Sequence, residues 1–404
     1  MTSNFVIVGG SYAAYQMAVS ARENGFDGGI FIVTEEAELP YHRPPLSKAF
    51  LQSGPEKDEL PLKSGAFYRD QDIDVLFNTR VNDLDMRFRT ISFDNGWLKF
   101  DQLGIATGAK ARLLDVPGSE LDGVLYLRSI NDARALRQRA GLAEDIVVIG
   151  GGFIGLEVAS ALVGKNKCVT VIESQARPLA RAVAPAISEF IANVHRENGV
   201  RILCNTGVRE IIGNGNAVVA VECEDGRTIR ADIVLVGVGA QPNTELAEIA
   251  GLNCQNGIIV DGFSRTSNTH IVAAGDCAFY AGPFTPRGAR LESVQNALDQ
   301  AKSAGASAAG VRKEYTALPW FWSDQYELKL QMAGLSAGYD SVVERRFDDV
   351  RQLNLFYFHK DVCIAVDSIN RPRDHMLARR QLSQRAPTKG DLMNVDFAIS
   401  ELRP

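Results

Sequence analysis

Three features of the 404-residue chain predict an α/β protein with two Rossmann-like dinucleotide-binding domains and a C-terminal α+β domain. The stretch Asp145 to Glu173 sets a short apolar strand, a G-x-G-x-x-G turn, a helix and a second strand in βαβ order. A looser copy of the same unit opens the chain, from Asn4 to Glu35. After Leu318 the pattern changes to closely spaced strands followed by a helix.

In the central unit the apolar run Ile146 to Ile149 meets Gly150, Gly152 and Gly155. Gly150 allows the tight turn, Gly152 lets a pyrophosphate touch the backbone, and Gly155 lets the helix pack closely on the strand. The phosphates would rest on the unpaired N–H groups at the helix N-terminus, where Phe153 and Ile154 stand. The second strand, Val169 to Ile172, ends on Glu173, about twenty residues after the glycines, where a carboxylate takes the adenosine ribose hydroxyls. A negative charge there disfavours a 2′-phosphate, so NAD(H) is expected over NADP(H). Arg177 argues the other way, but reads as a solvated loop arginine.

In the first unit an apolar strand, Phe5 to Val8, runs into Gly9, Ser11 and Ala14 at the three glycine places. Alanine is a known variant of the third place, and serine serves the second if its backbone still reaches a pyrophosphate. A helix follows to near Gly25, then a strand, Ile30 to Val33, with Glu35 just past its end. Two such folds in one chain imply two dinucleotides, one FAD held permanently and one nicotinamide that comes and goes.

Composition narrows the function classes. Charged residues make up 23%, hydrophobic ones 46%, and the net charge is −6, so nothing global points to nucleic acid or an anionic membrane. No apolar run approaches the roughly 18 residues of a membrane helix. The first strand starts by Phe5, leaving no room for a signal peptide, so a cytoplasmic location is expected. Six scattered cysteines include no C-x-x-C pair, which removes dithiol chemistry, and the five histidines show no metal-ligand spacing.

Further motifs carry a family resemblance. Leu39 to Leu51 reads LPYHRPPLSKAFL; Ala106-Thr107-Gly108, Leu127-Arg128-Ser129 and the VGVGAQPN run Val236 to Asn243 follow in order. Thr266 to Ala278 contains the Gly275-Asp276 pair, and Glu292 to Ala297 reads ESVQNA. In these motifs, and over nearly its whole length, the chain resembles the class I ferredoxin reductases. These are NADH-dependent flavoproteins of glutathione-reductase-like fold that feed cytochrome P450s and aromatic-ring dioxygenases. The resemblance implies a split FAD domain (1–107 and 243–318), an inserted NAD domain (108–242) and a β-rich C-terminal domain (319–404).

It also implies roles for individual residues. Lys48 would lie beside flavin N5, paired with Glu157; the plain alternative makes Lys48 an exposed loop residue and Glu157 an acid in the first turn of its helix. Gly9, Ser11, Ala13, Ala14, Glu35, Arg43, Val81, Arg128, Asp276, Val294 and Trp320 would contact FAD, Asp276 through the ribityl chain. Gly150, Gly152, Phe153, Ile154, Gly155 and Glu173 would contact NAD. Cys277 reads as a packed small residue. Trp320 and Trp322 either cover the flavin or are β-domain core.

The expected partner is a [2Fe-2S] ferredoxin. Arg371 to Arg385 carries five arginines against one aspartate, and a basic dock including Arg379 and Arg380 would steer an acidic protein. A solvated helix face is the alternative. Two other functions share these motifs: rubredoxin reductase, and an apoptosis-inducing-factor-like interaction flavoprotein, which would bring a targeting segment and a basic surface. In the C-terminal region the pattern predicts strands over 328–335, 342–347, 353–358 and 362–369, a hairpin turn at 359–361 and a helix over 374–384.

Overall fold

Asn4–Val8 turns Phe5 and Ile7 to one face and Val6 and Val8 to the other, and all four are buried. A strand apolar on both faces belongs inside a covered parallel sheet. It is the central one of five parallel strands, in the order Ile271–Ala273, Gln102–Ile105, Asn4–Val8, Gly29–Val33, Ile73–Leu76. Phe5 and Ile7 share a core with Met17 and Ala18 of the helix Tyr12–Glu23 and with Ala301 and Ala304 of the helix Val294–Ala308. Val6 and Val8 pack on the opposite side with Ile91, from an antiparallel ribbon of Val81–Asp85, Thr90–Phe93 and Gly96–Lys99.

The computed structural model describes residues 3–52, 60–164, 166–384 and 386–393. The chain folds into two compact units. The first comprises Met1–His42, Lys57–Lys110 and Gln241–Phe321, and the second Arg43–Glu56, Ala111–Ala240 and Trp322–Pro404. The loop bearing Arg43 and Lys48 therefore belongs with the second unit, whereas the sequence boundaries put it in the FAD domain. The segments 111–240 and 322–404 fall in one unit.

The second unit repeats the logic of the first. Asp145–Ile149 is central in a five-stranded parallel sheet, between Cys168–Ile172 and Ile233–Val236, with Arg201–Leu203 and Val124–Leu125 at the edges. A five-stranded C-terminal sheet runs Trp320–Gln325, Leu328–Gly334, Val362–Ile369, Leu353–His359, Ser341–Arg346, antiparallel from Leu328 onward. The four expected strands are present. Trp320–Gln325 is an additional one that the sequence pattern did not reveal. At the expected turn Lys360 and Asp361 both take positive φ, 48° and 70°, as a two-residue hairpin turn requires. The expected C-terminal helix is Pro372–Gln384, which begins two residues before Asp374 with proline at its first position; a short helix, Lys389–Met393, follows it.

Within this unit a buried acid ties the C-terminal sheet to a helix. The Tyr357 hydroxyl accepts the N–H of Ala184, the N-cap of Pro185–Glu197, at 3.0 Å and donates to Asp367. Tyr357 and Asp367 are diagonal neighbours on adjacent antiparallel strands. Burial pushes the Asp367 carboxyl up to about 7, against the opposing pull of the Tyr357 hydrogen bond. An acid raised on folding binds more protons folded than unfolded between its unfolded value, about 3.9, and about 7. Its contribution to stability is therefore full below that window and lost as pH rises through it. Asp367→Asn should flatten that decline, measured as urea-unfolding free energy at a series of pH values from 4 to 8.

Candidate active site

The two glycine turns follow the same construction. Gly9 takes φ +134°, and a Cβ there would stand 2.1 Å from the Ala106 carbonyl oxygen. Gly150 takes φ +106° and would meet the Gly237 carbonyl at 2.4 Å, so both turns exclude any side chain at the first place. In the second unit Gly155 sits against the Gly150 carbonyl, 2.2 Å from its would-be Cβ, which is the close helix–strand approach expected of it. Gly152 is the N-cap of Phe153–Leu162, and a Cβ there would meet nothing within 4 Å. Neither Gly152 nor Ser11, the N-cap of Tyr12–Glu23, satisfies its helix through a side-chain hydrogen bond. The open space at Gly152, at the start of a helix, fits a pyrophosphate.

The acids at the strand ends differ. In the second unit the Glu173 carboxylate accepts the N–H of Gly151 at 2.8 Å and of Gln175 at 2.7 Å, so it is held at the glycine turn with acceptor capacity left for ribose hydroxyls. Ile154 is exposed and Phe153 half-buried at the start of the adjoining helix. Arg177 is not the solvated arginine expected. It is half-buried, donates Nη2 to the Ala180 carbonyl at 3.1 Å, and keeps Nη1 buried, because the loop after Glu173 folds back onto Gly151. In the first unit Glu35 is exposed, 3.7 Å from Arg80.

The first unit gathers most of the residues assigned to FAD. Ala13 and Ala14 are buried at the start of their helix, and a Cβ on Gly275 would lie 3.2 Å from that of Ala13. This brings Asp276 beside the first glycine turn. Val294 opens the helix Val294–Ala308, whose N-cap Ser293 accepts the Asn296 N–H at 3.0 Å. The Trp320 N–H donates to the next residue of that helix, Gln295, at 3.1 Å. Val81 is half-buried at the start of its ribbon. Sequence reading missed Arg290, whose side chain is only 8% exposed. It donates to the Asp276 carbonyl at 3.1 Å and pairs with Glu292, while its Nε is buried without a protein hydrogen-bond partner. A buried orphan donor beside Asp276 suits an anionic, hydroxyl-rich cofactor.

The second unit holds the charged pair. Lys48 Nζ lies 2.6 Å from Glu157 Oε2, with side-chain exposures of 20% and 6%. Lys48 caps the short 3₁₀ turn Pro44–Ser47, and its ammonium also reaches the Pro44 carbonyl at 3.2 Å. Two prolines make that turn a stiff platform. Glu157 is the fifth residue of its helix, past the first turn, so the reading of it as a helix-dipole acid does not hold. Its carboxylate also accepts from Ser47 Oγ at 2.5 Å and from Ser323 Oγ at 2.7 Å. Neither serine was singled out from sequence. Ser323 belongs to the strand that the sequence pattern did not reveal, where Trp320 and Trp322 drew attention to the other face. Arg43 donates to the Arg128 carbonyl at 2.9 Å, so these two assigned residues meet.

All six cysteines are free. Cys277, the one nearest an assigned residue, is fully buried with its thiol pushed up by that burial, as befits an inert packed thiol.

Comparison with known proteins places the chain in a family. Residues 3–301 match the family of pyridine nucleotide-disulphide oxidoreductases and residues 320–402 the reductase C-terminal domain. Rhodocoxin reductase of Rhodococcus erythropolis is 42% identical over 98% of this chain and 93% of its own length. The rubredoxin-NAD(+) reductase of Pseudomonas putida is 39% identical over 91% of this chain and 96% of its own. The crystal structure of the ferredoxin reductase for the CYP199A2 system of Rhodopseudomonas palustris superposes with a TM-score of 0.95, at 39% identity, covering 98% of this chain and 99% of that one. The chain thus belongs to the pyridine nucleotide-disulphide oxidoreductases, in the ferredoxin reductase branch that its motifs resemble. FAD and NAD(H) are its cofactors.

Removing one member of a buried ion pair leaves the other uncompensated. Glu157→Ala should cost about 3–5 kcal/mol of stability. The double variant Lys48→Met/Glu157→Leu should recover most of that loss, as read by urea unfolding.

Proposed function

We propose that this chain is an FAD-dependent NADH:ferredoxin oxidoreductase, passing electrons from NADH to a [2Fe-2S] ferredoxin that serves a cytochrome P450 or an aromatic-ring dioxygenase. One combination carries the reading: two dinucleotide turns on two parallel sheets, with six free cysteines and no C-x-x-C pair. Electrons entering such a protein have no dithiol to reach, so they leave to an external carrier. When bound, FAD supplies a centre that accepts a hydride at N5 and returns the electrons one at a time.

In this reading the first unit is the FAD unit. The turn Gly9, Ser11, Ala13 and Ala14 holds the pyrophosphate, Glu35 the adenosine ribose and Asp276 the ribityl chain. Val81, Val294 and Trp320 complete the contacts of this unit; Arg43 and Arg128, which the resemblance also assigns to FAD, belong to the second unit. In the second unit Gly150, Gly152 and Gly155 seat the NADH pyrophosphate on the N–H groups around Phe153 and Ile154, and Glu173 takes the ribose. Lys48, oriented by Glu157, supplies the fixed positive charge that the resemblance assigns to flavin N5. The dependence on NADH accords with a cytoplasmic enzyme.

The proposed basic dock lies on the helix Pro372–Gln384 and includes Arg379 and Arg380. Arg371 is tied to Asp374 and Gln352 and stacks on Phe347, and Arg385 lies outside the described residues. Arg373 and Arg380 are exposed, and Arg379 is half-buried. A rubredoxin acceptor is the second reading, favoured by the 39% identity to a rubredoxin-NAD(+) reductase.

Anaerobic stopped-flow should show fast bleaching of the flavin by NADH, then fast reoxidation by a [2Fe-2S] ferredoxin and slow reoxidation by rubredoxin. The reverse acceptor order would keep the NADH half and replace the partner. Slow reoxidation by both carriers would overturn the reductase reading. Arg379→Glu/Arg380→Glu should slow the ferredoxin step at low salt and converge on the parent at high salt. Glu173→Ala should cut the NADH-over-NADPH preference about tenfold, equivalent to about 1.4 kcal/mol; an unchanged ratio would remove Glu173 from nucleotide selection.

A further inference from the structure

The Lys48–Glu157 pair is the near end of a longer chain of hydrogen bonds inside the second unit. Ser323 Oγ lies 2.7 Å from Glu157 Oε1, and Gln325 Nε2 lies 3.0 Å from Ser323 Oγ. His195 Nε2 lies 2.8 Å from Gln325 Oε1, and the Tyr326 hydroxyl 3.2 Å from His195 Nδ1. Glu157, Ser323, Gln325 and His195 are all at least 95% buried. They come from three places: the helix Phe153–Leu162, the strand Trp320–Gln325 and the helix Pro185–Glu197.

The polarity of this chain follows from its first member. Glu157, partner of the Lys48 ammonium, can only accept, so Ser323 must turn its proton toward Oε1. That leaves a Ser323 lone pair facing Gln325, which therefore presents its NH₂ group. Gln325 then offers its oxygen to His195, so His195 carries its proton on Nε2. Nδ1 is left bare to accept from Tyr326. Burial lowers the His195 pKa, consistent with a neutral ring. Every donor points toward the carboxylate.

We infer that Ser323, Gln325 and His195 are positioning residues for the proposed NADH reaction, a one-way hydrogen-bond relay that fixes Glu157 and through it the Lys48 ammonium. The inference deepens the reductase reading and rests on it for the role of Lys48. Reversing one member reverses all those behind it. In Glu157→Gln the ammonium of Lys48 would still demand an oxygen at the Oε2 position, so the new NH₂ would face Ser323. Ser323 would then donate to Gln325, Gln325 would turn over, and His195 would move its proton to Nδ1.

The test is ¹⁵N-histidine NMR of the FAD-loaded enzyme, with the His195 signals assigned by their loss in His195→Gln. The parent should show the Nε2–H tautomer and Glu157→Gln the Nδ1–H tautomer. An Nδ1–H parent, or a tautomer that Glu157→Gln leaves unchanged, would overturn the relay. Activity gives a second arm that does not depend on Glu157→Gln folding. His195→Leu, which removes the donor to Gln325, should slow flavin reduction by NADH about tenfold and shift the flavin midpoint potential, whereas His195→Gln keeps an N–H and should stay within about twofold. Equal slowing in both, or in neither, would leave His195 with only a packing role and refute the inference. Failure of the protein to reduce ferredoxin would defeat the functional reading alone, because the tautomer and the potential do not depend on the acceptor.

Discussion

A half-buried ammonium facing a buried carboxylate is the constraint around which the second unit is arranged. Taking two charges out of water is unfavourable unless they meet at good geometry and their remaining hydrogen-bonding capacity is met. Lys48 and Glu157 meet at 2.6 Å, and the carboxylate takes two further donors, Ser47 and Ser323. Those contacts join the proline-stiffened turn Pro44–Ser47, the helix behind the nucleotide turn and the first strand of the C-terminal sheet. A loop that a domain boundary drawn on sequence would assign elsewhere is thereby fastened to the helix and strand of the second unit.

The same unit shows how a polar interior is kept orderly. Glu157 and Asp367 are both buried acids, but their surroundings differ. Glu157 has a cation and two hydroxyls, whereas Asp367 has the Tyr357 hydroxyl and a desolvated site that pushes its carboxyl toward neutrality. The first acid holds the Lys48 ammonium in place. The second, through Tyr357 and the Ala184 N–H, anchors the helix that carries His195.

Thiol chemistry is absent from this picture for a physical reason. Cys277 sits one residue from Asp276 yet is packed with its thiol pushed up by burial, and all six cysteines are free. The cofactors carry the redox chemistry, and the protein's part is to bind and orient them.

Local chemistry was legible in the sequence wherever backbone conformation demanded a residue type. Gly9 and Gly150 take positive φ against a neighbouring carbonyl, Gly155 packs against a strand, and the turn at Lys360 and Asp361 closes a hairpin. Those requirements are met within a few residues, so spacing alone declared the two nucleotide turns, and the apolar runs declared the parallel sheets. The partners of Lys48 divide differently. Glu157 was reachable through resemblance, but Ser323, Gln325 and His195 were not, because the sequence pattern did not reveal the strand Trp320–Gln325 and nothing local marks His195 as its partner. Their inward orientation, like the half-burial of Arg177 and the burial of Arg290, depends on contacts between segments far apart in the chain. Residue spacing determined where the two glycine turns lie. Tertiary packing decided which polar side chains lost their water and so had to find one another.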